Sequence, residues 1–102
     1  MAQLFYPDWH EQVVISDKGP QPTILYQTDM FKAVIVGLEA GQKIPLHPEG
    51  AGVFHFLQGS GWMLVGEERF PIQPGATVIV PDGVARGMEA EKRLAFVATR
   101  IL

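Results

Sequence analysis

Cysteine is absent from this 102-residue chain. Its absence excludes disulfides, thiolate nucleophiles and cysteine-based metal sites, so any metal would have to rely on histidine, carboxylate or water. A basic stripe is also missing: the eight Lys and Arg residues are scattered singly from Lys18 to Arg100. Such a pattern does not neutralise a phosphate backbone, so nucleic acid is not an expected partner, and an electrostatic membrane contact is equally unsupported. Nowhere do roughly 18 apolar residues run together, the length a membrane-spanning helix needs. The amino-terminal stretch MAQLFYPDWHEQ has neither a basic nor a long apolar region of the kind found in signal peptides. The expectation is a soluble, cytoplasmic protein. Internal repeats, low-complexity tracts and a sustained helical period are missing too, as are a Ser-His-Asp set and a phosphate-cradling glycine loop. Gly59-Ser60-Gly61 reads as a hairpin turn.

What the chain does have is dense punctuation, with 11 Gly and 8 Pro between short segments rich in Val, Ile, Phe and Thr. An apolar fraction of 47% with 19% charged residues describes a globular domain able to bury a core. Strands are expected near Val13–Ser16, Thr23–Gln27, Met30–Leu38, Gln42–His47, Val53–Gln58, Trp62–Val65, Arg69–Ile72, Thr77–Val80 and Leu94–Ile101. One or two helical turns are expected near Asp8–Val14, with Asp8 as the cap. Short connections between many short strands imply an all-β sandwich, jelly roll or barrel over residues 1–102 as a single domain. Residues 1–20 form a possible N-terminal arm, packed over the sandwich or swapped across a dimer. Ala33–Val36 and Val53–Leu57 are apolar at consecutive positions, which indicates burial of both faces. A homodimer covering the outer faces is therefore expected.

The run Gly41–Gly59, GQKIPLHPEGAGVFHFLQG, gathers two of the three histidines around a small-residue turn. His47 and Glu49, at i and i+2 of an extended segment, project to one side and form a potential N/O pair for a divalent transition metal. A polar turn is the alternative reading of that pair, because stable metal sites collect three or four protein groups. His55 alternates with Phe54 and Phe56, so it faces away from whatever they face; a neutral buried histidine at a subunit contact is expected in preference to a third ligand. Phe54, Phe56, Trp62, Met63 and Met88 are candidates to line an apolar cavity or simply to fill the core. His10, in the arm, receives no role.

With these segments placed, the chain resembles a small single-domain cupin. Gly41, His47 and Gly59 match the first motif of that family, and Gly75, Pro81 and Gly83 match the second, so the resemblance spans about Met30–Ile101. It implies a jelly-roll barrel. The usual metal ligands match less well: Glu49 stands at the second histidine position, Gly52 at the glutamate, Arg86 at the second-motif histidine and Ala90 at its asparagine.

Arg86 is the most informative of these departures. A guanidinium only donates and keeps its charge, so it cannot ligate a cation and disfavours one beside it. Two expectations follow. Either Arg86 pairs with Glu49 as a structural ion pair filling the metal position, or Arg86 and His47 form a positive corner for a small anionic ligand, with Phe54, Phe56 and Met88 as the apolar wall. The ion pair is favoured, because Glu49 is at hand to neutralise Arg86. The functional expectation is a small-molecule binding or accessory module with a degenerate metal site. Its alternatives are a metal-dependent oxygenase or isomerase using His47 and Glu49, a metal-free enzyme with one of them as acid or base, or a dimerising domain without pocket chemistry.

Overall fold

The computed structural model describes residues 3–102. Nine strands follow in chain order: Gln21–Gln27 (β1), Phe31–Leu38 (β2), Lys43–Pro48 (β3), Gly52–Gln58 (β4), Gly61–Val65 (β5), Glu68–Ile72 (β6), Thr77–Val80 (β7), Ala85–Ala90 (β8) and Leu94–Ile101 (β9). They form one five-stranded sheet in the order β1-β2-β9-β4-β7 and one four-stranded sheet in the order β3-β8-β5-β6. All pairings are antiparallel. The expected all-β sandwich of jelly-roll type is therefore what forms. No described helix is long and apolar enough to cross a membrane.

Alternation along each strand decides what enters the core. Val34, Val36 and Leu38 of β2, Phe54 and Phe56 of β4, and Leu94, Phe96 and Ala98 of β9 face Met63, Ile72 and Met88 of the other sheet in one buried cluster. Phe96 lies between the two β4 rings, with centroids 5.9 Å from Phe54 and 5.4 Å from Phe56. These offset, tilted contacts suit the aromatic quadrupole.

Three expectations about elements need correction. Val13–Ser16 is not a strand, despite its β-branched residues. It crosses the outer side of β2 at Gly37, where any side chain would collide with the Val14 carbonyl and the Ile15 side chain. Gln42 Nε2 fixes the end of this crossing by donating to the Ser16 carbonyl at 2.6 Å, and Tyr6 Oη ties the start of the arm to Leu25 O at 2.6 Å. The arm thus lies on its own sheet and covers part of the face that was expected to meet a partner. The helical turn shrinks to a 3-10 turn at Trp9–Glu11, with Asp8 accepting from the His10 amide as its cap. The third correction is β8, ARGMEA, which was not expected as a strand and lies inside the second sheet, between β3 and β5.

Candidate functional site

The inner face narrows to a cavity of about 440 Å³ between the two sheets. Its floor is core: Val34 and Val36 from β2, Phe54 from β4, Phe96 and Ala98 from β9, Met63 from β5 and Met88 from β8. It reaches the margin where the edge strands β1 and β3 approach, lined there by Pro20, Pro22 and Pro45. His47, Glu49, Arg86, Arg100 and Lys32 supply the polar part of the lining.

Arg86 and His47 are directly opposite in the β3–β8 register, so a short cross-strand pair brings both to the cavity. Arg86 is 2% exposed. Its carboxylate pairing with Glu49 does not form, contrary to expectation. Arg86 Nε and Nη2 donate to Val84 O at 3.1 and 2.8 Å, Nη1 to Gly50 O at 2.7 Å and Nη2 to Glu49 O at 3.1 Å. It is a clamp on backbone carbonyls, closing the turn after β3 onto the start of β8. Gly52 makes room for it: a Cβ there would stand 3.4 Å from Arg86 Nη1 and 3.0 Å from the Phe54 ring. Gly52, where the resemblance calls for a glutamate, thus leaves its place to the Phe54 ring and the Arg86 guanidinium.

The Glu49 side chain turns instead to residues on either side of Arg86. Oε1 lies 3.0 Å from Arg100 Nη2, and Oε2 lies 3.4 Å from His47 Nε2. His47 Nδ1 sits 2.9 Å from the Pro45 carbonyl, which only accepts, so Nδ1 carries a proton, and the opposite ring nitrogen, Nε2, is the one that faces the Glu49 carboxylate. Sequence reasoning brought His47, Glu49 and Arg86 to one place but missed Arg100 and Lys32. The missing signal was the period of two, because continuing inward parity from Phe96 and Ala98 reaches Arg100, and from Val36 and Val34 reaches Lys32.

Other expected residues divide between inside and outside. Phe54, Met63 and Met88 line the cavity, whereas Phe56 is fully buried in the core and does not line it. Trp62 points outward beneath the Arg69 guanidinium, 3.7 Å from its ring centre. His55 does face away from Phe54, as alternation required; in the single chain it is exposed on the outer face, and its Nδ1 meets Thr77 Oγ1 at 2.8 Å.

A metal fits this donor set poorly. His47 and Glu49 are two groups where a stable site needs three or four, and no cluster of three His, Cys, Asp or Glu occurs among the described residues. Two guanidiniums adjoin the pair, and each raises the electrostatic cost of a divalent cation.

No family model matches the chain, and no curated protein does. Solved structures do. A conserved protein of unknown function from Streptococcus pyogenes superposes with a TM-score of 0.87 at 19% identity, over 99% of this chain and 90% of that one. An RmlC-like cupin protein from Desulfovibrio desulfuricans gives 0.85 at 23% identity, over 97% of each chain. A protein with a double-stranded β-helix domain from Klebsiella pneumoniae gives 0.85 at 19% identity, over 97% of this chain and 90% of that one. With two antiparallel sheets in this order and neighbours that cover nearly the whole chain, this protein has the cupin, or double-stranded β-helix, fold.

Proposed function

We propose that this chain is a small-molecule binding module whose ligand occupies the cavity between the two sheets and is held without a metal ion. The observation that carries the reading is the cavity itself. Its volume of about 440 Å³ lies within the ~300–1,000 Å³ of typical ligand sites, and its apolar floor and few polar groups are the usual division between affinity and orientation. Phe54, Met63 and Met88 supply contact area, while His47, Glu49, Lys32 and Arg100 supply the orienting groups. Arg86 contributes a fixed positive charge, but its donors are engaged on carbonyls.

Ala98→Leu tests this reading, because Ala98 lines the cavity and a longer side chain there occupies ligand space. In a thermal-shift screen of small organic compounds, stabilisation of the wild type is expected for some, and Ala98→Leu should abolish it. Shifts that survive the substitution unchanged, or a screen without any stabilising compound, contradict the reading.

One observation favours a second reading, a metal-free enzyme. His47 Nδ1 is held on the Pro45 carbonyl and Nε2 lies 3.4 Å from Glu49 Oε2, so the imidazole and the carboxylate form an oriented pair able to exchange a proton as general acid and base. In that case His47→Gln would abolish turnover while only weakening ligand-induced stabilisation. The module is further proposed to work as a homodimer, because Val53 and Ile79, paired across β4 and β7, remain 45% and 71% exposed on the outer face.

A further inference from the structure

Lys32 of β2 and Arg100 of β9 are direct partners in the antiparallel register, next to the inward pairs Val34 with Ala98 and Val36 with Phe96. Both line the cavity. Like charges directly opposite one another destabilise a sheet, so their adjacency calls for an anion. Glu49 answers only in part: one carboxylate oxygen is on Arg100 and the other is turned to His47. Lys32 makes no ion pair among the described residues. Arg86 adds a further buried cation with no carboxylate partner among them. Lys43 also borders the cavity, but in the register it adjoins the inward pair Ile44 with Met88, so alternation places it in the outward set of β3. This end of the cavity therefore sets three cations, Lys32, Arg86 and Arg100, against Glu49 alone, in a chain whose formal net charge is -3. The positive excess is local, and it adjoins a floor of Val36, Phe54, Met63 and Met88.

We infer that the ligand is a carboxylate with an apolar body. Its head lies between the Lys32 ammonium and the free N–H groups of Arg100, and its body lies on the Phe54, Met63 and Met88 floor. The inference rests on the cavity being the binding site, as proposed above. A planar carboxylate suits a guanidinium fork, and a single head group suits one ammonium and one guanidinium already shared with Glu49. The apolar floor adjoining the charges favours an organic acid over a small inorganic anion, which would leave that surface uncovered.

Isothermal titration calorimetry with octanoate, its neutral counterpart octanamide and inorganic phosphate tests this on the wild type, Lys32→Met and Lys43→Met. Octanoate should bind the wild type at least about tenfold more tightly than octanamide or phosphate, a ratio that loss of one charge-assisted contact supplies. Lys32→Met should weaken octanoate by about the same factor, leave octanamide unchanged and raise the thermal midpoint of the ligand-free protein, because it removes the opposition to Arg100. Lys43→Met should leave octanoate binding unchanged. A residue of purely structural importance would not weaken binding while strengthening the fold. Equal binding of octanoate and octanamide, equal binding of phosphate, or an unaltered octanoate affinity in Lys32→Met overturns the carboxylate assignment. If neither octanoate nor octanamide binds, the assignment is overturned as well, and the Ala98→Leu screen separately decides whether the cavity binds anything.

Discussion

A guanidinium removed from water is costly unless its N–H groups are bonded, and at Arg86 four bonds to backbone carbonyls offset that cost. The same bonds hold Glu49 and Gly50, so the residue fixes the turn on which Glu49 is presented. Arg86→Met should leave the carbonyls of Val84, Glu49 and Gly50 short of donors and lower stability by about 2–4 kcal/mol, measured by urea denaturation. Arg86→Lys should recover only part of that loss, because an ammonium cannot span three separated carbonyls as the planar fork does. The importance of Arg86 was legible in the sequence, since it stands where the resemblance calls for a metal ligand. Its partners were not. A side-chain charge suggests a carboxylate such as Glu49, whereas backbone acceptors are carried by every residue and leave no letter to read.

At the scale of elements, the ends of the ladders are fastened by side chains beyond the strands. Glu39 follows β2 and Arg93 precedes β9, and their fork closes that ladder with contacts of 3.2 and 2.8 Å. The Arg93 guanidinium, followed by the Ala40 amide, holds the Glu39 carboxyl below its ordinary value. A carboxyl depressed in the folded state stabilises the fold above its unfolded pKa, and that contribution is lost as pH falls through the folded value. Wild type should therefore exceed Glu39→Gln in thermal midpoint at neutral pH, and the difference should vanish in acid below the ordinary carboxylate range. Most strands could be read from β-branched runs between turn residues, and β9 and β7 were placed end to end. Val13–Ser16 carries the same composition but has no ladder partner, so propensity misled there. Arg86-Gly87-Met88-Glu89 has no β-branched residue, and β8 is a strand because β3 and β5 flank it, a tertiary fact that local composition does not record.

For the whole molecule, the consecutive apolar runs were read as two buried faces needing a partner. The arm already covers the outer side of β2 around Gly37. Toward β7 the face stays open, with Val53 and Ile79 exposed, and the proposed homodimer rests on that part alone. Light scattering should give about twice the 11.2 kDa chain mass, and Ile79→Lys should shift it toward the monomer. A wild-type monomer contradicts the dimer without touching the cavity. The cavity is the central claim, and its methionines report on it directly. Met63 and Met88 are almost fully buried and line it, whereas Met30 is 71% exposed and lies away from it. Methyl-labelled methionine NMR during titration with octanoate should move the Met63 and Met88 signals saturably and leave Met30 in place. Unmoved Met63 and Met88 signals at octanoate concentrations that saturate the calorimetric isotherm would contradict the account.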